Sequence, residues 1–443
     1  MTVAAHPELP DVGVLALVPD QWSPQWQPRH HVMSRLARYF HVVWLNPASH
    51  WRDTVRQLAH GRLRRPDQDG PETPRTGGFQ PYDSPRWLPT LHRQGWLSRT
   101  LQVQRVRAAR GRLAALGCRK TILYLWRPEF EPALSAAPFD VSCYHIDDEY
   151  SFSDVDLPIA EREARVIMAV DQVIVHSKAL LAKKGFLNRH TALVPNGVDY
   201  NAYTMPRPEP VDLAAVPHPR IGYTGKIKKQ LNWVLLRELT QRHPEWHFVF
   251  VGPLSPHPEI VDMLSQLATR PNVHFLGAKT VHELTAYPQY FDVCLMPYAQ
   301  TGYTRYIYPL KLHEYLASGQ PVVGSRVTAL EDFASVVALA TSVNDWSAAI
   351  RSALEPAANA AARRTARRAV ARQHDWGVLV ARIATLLGER LGPGYSSRMA
   401  AAIEGLTATP SRAPEREGSA QPRLGRLRGY EPTVDLGSPA VDG

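Results

Sequence analysis

The chain of 443 residues is long enough for two domains, and its 44% of hydrophobic residues can build ordinary globular cores. It has no run of eighteen or more apolar residues, so a transmembrane helix is not expected. Three widely separated cysteines argue against a disulfide framework or a metal site and fit a reduced, cytoplasmic protein. The formal net charge of +10 indicates an anionic partner, and nucleic acid, anionic lipid and nucleotide diphosphates all qualify.

Short apolar runs alternate with helical patterns in the first half of the chain. Residues 12–18 predict a buried strand, residues 29–40 carry apolar side chains at helical spacing, and residues 41–47 predict a second strand. A strand, a helix and a strand at this spacing form a βαβ unit, which predicts a doubly wound parallel sheet. Further strands are predicted at residues 121–126 and 141–146.

The strand predicted at residues 141–146 ends in a cluster of polar side chains. His145, Asp147 and Asp148 lie at or just beyond its carboxyl end, where ligands collect in doubly wound sheets. These three residues are therefore candidate site residues. Carboxylates in this place suit either a metal ion or hydrogen bonds to substrate hydroxyl groups, and either aspartate also suits a helix N-cap.

Residues 84–128 contain no acidic residue. Their basic residues include Arg86, Arg93, Arg99, Arg105, Arg107, Arg110, Arg112, Arg119 and Lys120. Because Trp87, Trp96 and Leu97 supply apolar surface beside these charges, the segment suits an anionic membrane surface. A solvated helix face fits the same pattern, and no recognised motif supports the third alternative, a nucleic-acid site.

The second half of the chain begins with a strand, residues 220–224, that runs into a glycine turn. Gly225 would let a diphosphate approach the backbone, and Lys226, Lys228 and Lys229 follow at once. Further strands are predicted in three places, at residues 246–252, 273–276 and 292–296.

The segment from Tyr306 to Gly324 combines several local signals. Pro309 suits the first turn of a helix, and Gly319 supplies the left-handed residue that ends it before a buried strand. Lys311 and Glu314 share one face of that helix, whose N-terminus suits a phosphate. The segment therefore predicts a nucleotide site, and a surface helix with a solvated Lys311–Glu314 pair is the alternative.

In their order and spacing, three motifs of this chain resemble the retaining glycosyltransferases of family 4, which have the two-domain GT-B fold. The motifs are Pro195–Asp199, Gly222–Lys226 and Pro309–Val323, and the resemblance covers residues 12–391. The last motif is similar to a variant with the pattern Pro-Leu-Lys-x-x-Glu-Tyr-Leu-Ala-Ser-Gly. Many members carry two glutamates separated by seven residues. Glu314 matches the second, whereas Tyr306 stands in place of the first.

The resemblance implies that the second domain binds a nucleotide-sugar as co-substrate, with no metal and no other cofactor in the active site. Glu314 would hold the ribose, and the nucleotide base would lie near Gly277. Lys226, with Lys228 or Lys229, would stabilise the departing diphosphate. The expected donor-binding residues are Gly225, Lys226, Lys228, Lys229, Gly277, Tyr306, Leu310, Lys311 and Glu314.

The resemblance also implies that the first domain binds the acceptor, a glycan or a lipid-linked molecule. The expected acceptor-binding residues come from the loop at residues 21–31 and are Trp22, Trp26, Arg29 and His30. The expected catalytic residues are His145, Asp147, Asp148 and Lys226. The implied activity is hexosyl transfer with retention in cell-surface polysaccharide or glycolipid biosynthesis, in the cytoplasm or at the inner face of the cell membrane. A nucleotide-sugar epimerase of the same fold and a non-catalytic GT-B binding module are the alternatives.

The predicted architecture is α/β, with two Rossmann-like doubly wound domains that face a central cleft. The first domain is assigned to residues 1–200, a proline-rich linker to residues 201–219 and the second domain to residues 220–374. A helix at residues 375–391 is expected to cross back to the first domain. Residues 392–443 are rich in Pro, Gly, Ser and Arg, which predicts a disordered tail.

Overall fold

The computed structural model describes residues 6–23, 26–48, 77–85, 87–89, 95–151, 155–255 and 257–408, with only the backbone of residues 406–408. The chain forms two α/β domains, each built on its own parallel sheet. The predicted architecture of two doubly wound α/β domains is confirmed, and the helix that returns to the first domain is present. No helix within the described ranges is long and apolar enough to cross a membrane.

The first domain has seven described strands in the spatial order β3-β2-β1-β4-β5-β6-β7. They are β1 Val12–Leu17, β2 His41–Leu45, β3 Phe79–Tyr82, β4 Lys120–Leu125, β5 Val141–Ile146, β6 Gln172–Val175 and β7 Thr191–Leu193. Its helices are α1 Pro28–Leu36, α2 Trp96–Ala115, α3 Glu161–Ala169 and α4 Lys178–Lys184, with short 3₁₀ turns at Pro128–Ser135 and Gly185–Leu187. Strand β1 is buried along its whole length because both of its faces are covered, as in other doubly wound sheets.

The second domain has six described strands in the spatial order β10-β9-β8-β11-β12-β13. They are β8 Arg220–Thr224, β9 His247–Val251, β10 Val273–Phe275, β11 Val293–Met296, β12 Val322–Ser325 and β13 Ala338–Ala340. Its larger helices are α7 Trp233–Arg242, α8 Val261–Ala268, α10 Lys311–Ser318, α12 Val343–Leu354 and α13 Ala361–Gln373. Short helices are α5 Tyr200–Thr204, α6 Val211–Ala214, α9 Val281–Leu284 and α11 Thr328–Glu331, with 3₁₀ turns at Tyr287–Tyr290, Tyr303–Arg305 and Pro356–Asn359.

Helix α10 and strand β12 follow the local signals in their sequence. Gly319 has a φ of +86°, the left-handed conformation that ends the helix. Arg367 and Arg368, both on α13, donate hydrogen bonds to the carbonyls of residues 317–319. Guanidinium groups at this end satisfy the last carbonyls of α10 and oppose the negative end of its dipole. Helix α10 is thus fixed at its C-terminus by a neighbouring helix.

The chain returns to the first domain through α14 Trp376–Leu391 and α15 Pro393–Ala408. Trp376, Val380 and Ile383 of α14 are buried in one core with the first-domain strands. Met399 of α15 is fully buried, and Arg398 pairs with Asp11 through both carboxylate oxygens, at 2.9 and 2.6 Å.

The predicted disorder from residue 392 onward is therefore wrong for residues 393–408. Their few apolar side chains find partners on α14 that local composition does not reveal. The remainder of the predicted tail lies outside the described residues.

Candidate active site

Two glycines, one in the turn after β8 and one in the turn after β9, approach each other closely. Gly225 has a φ of +109°, and a Cβ added to it would lie 3.3–3.4 Å from Cε and Nζ of Lys311. Gly252, with a φ of +149°, has no room for a Cβ, because the carbonyl oxygen of Gly225 would lie 2.2 Å from it. Because the glycines carry no side chains, the two backbones and the Lys311 ammonium can lie close together, and a glycine turn of this kind suits a bound anion.

The first residue of α10, Lys311, has its ammonium held in one place. Its Nζ donates a hydrogen bond to the hydroxyl of Tyr298 at 3.0 Å. It also lies 4.9 Å from the ring centroid of Tyr223 and 5.5 Å from that of Tyr298, within cation–π range. Three observations therefore agree that a fixed positive charge lies at the N-terminus of α10, where an anion is favoured.

The three lysines after Gly225 have different surroundings. Burial, assisted by the charge of Lys311, lowers the pKa of Lys228 to about 8. Lys226 lowers that pKa further, and the carboxylate of Asp148 raises it. Lys228 thus lies among the cations of the second domain and near an acid of the first. The side chain of Lys226 is exposed.

The expectation that Lys229 serves the donor is not supported by its position. Its ammonium lies 3.7 Å from the carboxylate of Glu259 on the surface of the second domain. Of the two candidates for the second diphosphate base, Lys228 is the one that shares the surroundings of Lys311.

One turn into α10, Glu314 is half-buried and oriented by a phenol. The hydroxyl of Tyr203, on α5, hydrogen-bonds its carboxylate. Burial raises the pKa of Glu314, while Lys311 and the Tyr203 hydrogen bond act in the opposite direction. A carboxylate is therefore presented on the same helix face as the Lys311 ammonium, without a direct ion pair between them.

Three predicted donor residues remain, and they are Gly277, Leu310 and Tyr306. Gly277 has a φ of +72° and open space where a Cβ would be, and its carbonyl accepts a hydrogen bond from Gly252 N at 2.8 Å. Leu310 packs against the core of the first domain, so it contributes to the domain interface. Tyr306 has only 4% of its surface exposed, and its ring is buried among first-domain residues. The ring therefore faces the first domain, which argues against the predicted donor contact.

Among the predicted site residues of the first domain, Asp148 lies near Lys228 of the second domain. Its carboxylate accepts a hydrogen bond from the hydroxyl of Tyr303, in the second domain, at 3.2 Å. Asp147 is held differently: it accepts hydrogen bonds from Arg29 at 2.6 Å and from the hydroxyl of Tyr150. Asp148 is accordingly the better candidate for a substrate contact, and Asp147 is a structural ion-pair partner.

The structure contradicts a substrate contact by His145. Its ring is 3% exposed, stacks on Trp126 with 4.2 Å between centroids, and hydrogen-bonds the hydroxyl of Tyr124 at 2.8 Å. Burial, with the charge of His176, holds the pKa of His145 well below its usual value. The residue is therefore a neutral core histidine, because a side chain at a strand end can point into the core as easily as into the cleft.

The predicted acceptor loop is mostly part of the first-domain core. Trp22 is buried 4.5 Å from the ring of Phe79, and His30 is buried 4.8 Å from the ring of Trp44. Burial lowers the pKa of His30 to about 4, so this ring is neutral.

Arg29, from the same loop, is buried and forms ion pairs with Asp20 and Asp147. Its charge is therefore already neutralised within the first domain. Of the four predicted acceptor residues, Trp26 is the one with a partly exposed side chain.

Sequence reasoning missed four tyrosines that shape the site. Tyr223 and Tyr298 hold Lys311, Tyr203 holds Glu314, and Tyr303 contacts Asp148. For Tyr298 and Tyr303 the available signal was the cluster of tyrosines at positions 298–308. Among the described residues, no group of three or more His, Cys, Asp or Glu side chains could hold a metal ion.

The turn, the helix and the lysines described above lie in a part of the chain that matches a known family model. Residues 218–356 match the model of the family described as glycosyl transferases group 1. A protein of Bacillus subtilis (strain 168), named as a teichuronic acid biosynthesis glycosyltransferase, is 32% identical over 177 residues. This match covers 38% of the present chain and 44% of the relative, so the chain spans less than half the length of that curated protein.

Solved structures show the same fold over most of the chain. An Escherichia coli structure titled as trehalose-6-phosphate bound with UDP-2-fluoro glucose superposes with a TM-score of 0.60 at 11% identity, covering 85% of this chain and 98% of the other. The α,α-trehalose-phosphate synthase of Burkholderia vietnamiensis has a TM-score of 0.60 at 14% identity, with coverages of 88% and 99%. At this level of identity the likeness establishes the two-domain GT-B architecture.

Proposed function

We propose that this protein is a retaining glycosyltransferase that moves a hexosyl group from a nucleotide-sugar to an acceptor. One observation carries the proposal: Lys311, Lys228 and the glycine turn at Gly225 converge beside the half-buried carboxylate of Glu314. Cations and open backbone suit a diphosphate, and an oriented carboxylate suits the two hydroxyls of a ribose. The family match of residues 218–356 supports the same assignment.

In the proposed reaction, the bond between the anomeric carbon and the diphosphate oxygen breaks as charge develops on that oxygen. Lys311 and Lys228 stabilise this charge. Electrostatic stabilisation of developing charge is usually the largest single contribution to an enzyme's rate enhancement. The acceptor oxygen bonds to the anomeric carbon on the same face, and its proton passes to a phosphate oxygen of the departing nucleotide. Asp148, across the cleft, accepts a hydrogen bond from a sugar or acceptor hydroxyl. No metal is needed for these steps.

We further propose that the acceptor enters at the carboxyl ends of β1 and β2. A cavity of about 200 Å³ opens there, mostly lined by apolar groups, with Gln102 and Arg105 contributed by α2. Burial lowers the pKa of Arg105, which nonetheless stays a cation at neutral pH. An apolar cavity with one guanidinium suits a lipid-linked acceptor that carries an anionic group.

The exposed side of α2 supports contact with an anionic membrane. Trp96 is 78% exposed and Leu97 is 46% exposed at the start of the helix, and Trp87, earlier in the acid-free segment, is 73% exposed. Arg99, Arg107 and Arg112 are exposed along the same helix, and the segment contains no acid. Exposed tryptophan beside arginine is typical of an interface with anionic lipid headgroups. Arg86 and Arg93, also predicted to take part, lie outside the described residues.

The proposed activity is tested by nucleotide release from a panel of UDP-, GDP- and ADP-sugars. The reaction is run with and without anionic vesicles that contain a polyprenyl-phosphate-linked sugar. Release that depends on the acceptor supports transfer, and NMR of the product then shows whether the anomeric configuration is retained.

Conversion of the sugar without acceptor would instead identify an epimerase. Binding without turnover would identify a non-catalytic module, and absence of any nucleotide binding would contradict the donor site. A thermal-shift screen selects the nucleotide beforehand.

A further inference from the structure

A tyrosine-rich segment joins the two domains. Residues 297–309, here called the tyrosine strap, leave β11 of the second domain and lead into α10. The strap contains Tyr298, Tyr303, Tyr306 and Tyr308. Tyr298 contacts Lys311 within the second domain, whereas the next two tyrosines contact the first domain.

Tyr306 is the deepest of these contacts. Its ring belongs to a core cluster of the first domain, and its hydroxyl donates a hydrogen bond to Asp156. The ammonium of Lys183 lies 5.2 Å from the ring centroid, and the hydroxyl of Ser177 donates to the Tyr306 carbonyl at 3.0 Å. A second-domain residue is thus held by first-domain groups through its ring, its hydroxyl and its backbone.

The groups that hold Tyr306 also hold the residue next to Asp148. Lys183 pairs with Asp156 at 2.5 Å and lies 3.4 Å from the carboxylate of Glu149. Glu149 is buried and also contacts the ammonium of Lys184 at 3.2 Å, and Lys184 in turn pairs with Glu163 at 2.7 Å. Glu149 directly follows Asp148 in the chain, so one ionic network supports both.

We infer that Tyr306 is a positioning residue, which sets the placement of Asp148 relative to the lysines of the second domain. The inference rests on the proposed function. Tyr303, three residues earlier in the strap, contacts Asp148 itself, so the strap is anchored at 306 and meets the cleft at 303. A glutamate at position 306 would bring a third carboxylate to Asp156 and Glu149, and like charges there repel. Tyr306 can therefore anchor the tyrosine strap on the first domain, where the glutamate of the resembling family would be repelled.

The test compares Tyr306→Phe, Tyr306→Ala and Tyr306→Glu with the parent protein. The matched control is Tyr290→Phe, since the Tyr290 hydroxyl donates to the backbone carbonyl of Arg207 and its ring packs on the core of the second domain. Calorimetry with UDP, GDP and ADP reports the donor pocket, steady-state kinetics report turnover, and hydrogen exchange of residues 147–151 reports the Asp148 loop. These three measurements separate positioning from binding.

We expect nucleotide affinity to stay within about twofold in every Tyr306 variant, because the pocket lies in the second domain. Turnover should fall about tenfold or more for alanine and glutamate and less for phenylalanine, with faster exchange at residues 147–151. Unchanged turnover and exchange in Tyr306→Ala would overturn the inference, as would a loss of affinity equal to the loss of turnover. If the alanine variant does not fold, Tyr306→Phe and Asp156→Asn are judged by the same criteria. Exchange needs no turnover, so it remains decisive if the proposed function fails.

Discussion

The hydroxyl of Tyr303 lies 3.2 and 3.3 Å from the two carboxylate oxygens of Asp148, although the residues are 155 positions apart and belong to different domains. This contact joins the two domains close to Lys228, whose pKa burial lowers and the charge of Asp148 raises. We expect a substrate that enters between the domains here to replace or share the Tyr303 hydrogen bond. This contact between the domains makes Asp148 the first acidic residue to substitute in a test of activity.

We expect Asp148→Asn to lower turnover while leaving nucleotide affinity near the parent value. The substitution keeps the shape but removes the charge, and a charge-assisted hydrogen bond is worth about 1.5–3 kcal/mol, or roughly ten- to hundredfold in rate. Steady-state kinetics and calorimetry with the nucleotide measure the two quantities. Asp147→Asn is the neighbouring control, and it should mainly lower the melting temperature because Asp147 pairs with buried Arg29. Equal turnover in Asp148→Asn and the parent would exclude Asp148 from the reaction.

Glu314→Gln should weaken nucleotide binding about ten- to hundredfold, since a charged acceptor of two ribose hydrogen bonds is lost. A nucleotide that lacks the ribose hydroxyls should bind the parent weakly and be almost indifferent to the substitution. Tyr203→Phe is informative beside it, because it keeps the charge and removes only the hydrogen bond that orients the carboxylate. Calorimetry provides the affinities. Parent-like binding by Glu314→Gln would mean that α10 is merely structural.

Nucleotide affinity should depend on pH through Lys228, whose pKa is lowered to about 8 by burial. Below pH 8 the ammonium is protonated and attracts the diphosphate, whereas above pH 8 the charge is lost. Affinity should thus be nearly constant up to pH 7 and fall by up to about tenfold between pH 8 and pH 9. The Lys228→Met protein should be weaker at pH 7 and show a flat profile over this range. The same slope in Lys228→Met would assign the titration to another group.

Binding to anionic vesicles should require the exposed side of α2. Replacement of Arg99, Arg107 and Arg112 with Gln removes about 1 kcal/mol per charge near the surface, and added salt should weaken the parent in the same direction. Trp96→Ser should weaken binding at every salt concentration, because it removes apolar contact. Co-sedimentation with vesicles of phosphatidylglycerol or of neutral phosphatidylcholine measures these effects. Equal binding to both lipids would argue against the proposed interface.

Removal of α15 should lower thermal stability. A protein that ends after Leu391 loses buried Met399 and the Arg398–Asp11 ion pair, whereas one that ends after Ala408 keeps both. Since deletion of a buried methionine costs about 2–5 kcal/mol, the shorter protein should melt several degrees below the longer one. Calorimetry of the two truncated proteins gives the difference. Identical melting temperatures would show that the packing of α15 contributes nothing.

Local signals predicted the elements that define the fold. The helix stop at Gly319 and the buried strand after it follow from the chemistry of single residues, and the order of apolar runs gave the parallel sheets. The edge strands β3, β7 and β13 were missed because they are short and only partly buried. Whether a residue faces the core or the cleft depends on tertiary packing, so His145 and Trp22 were placed at the site although both are buried.

The second domain is inserted within the first, and the insertion affects the order in which the two domains fold during synthesis. Val198 N donates to the His374 carbonyl and Trp376 N donates to the Val198 carbonyl, both at 2.9 Å, so the two ends of the insertion lie side by side. The first-domain core includes α14 and is completed only after the whole second domain has left the ribosome. The second domain can thus fold before the last helices of the first domain, α14 and α15, have been synthesised.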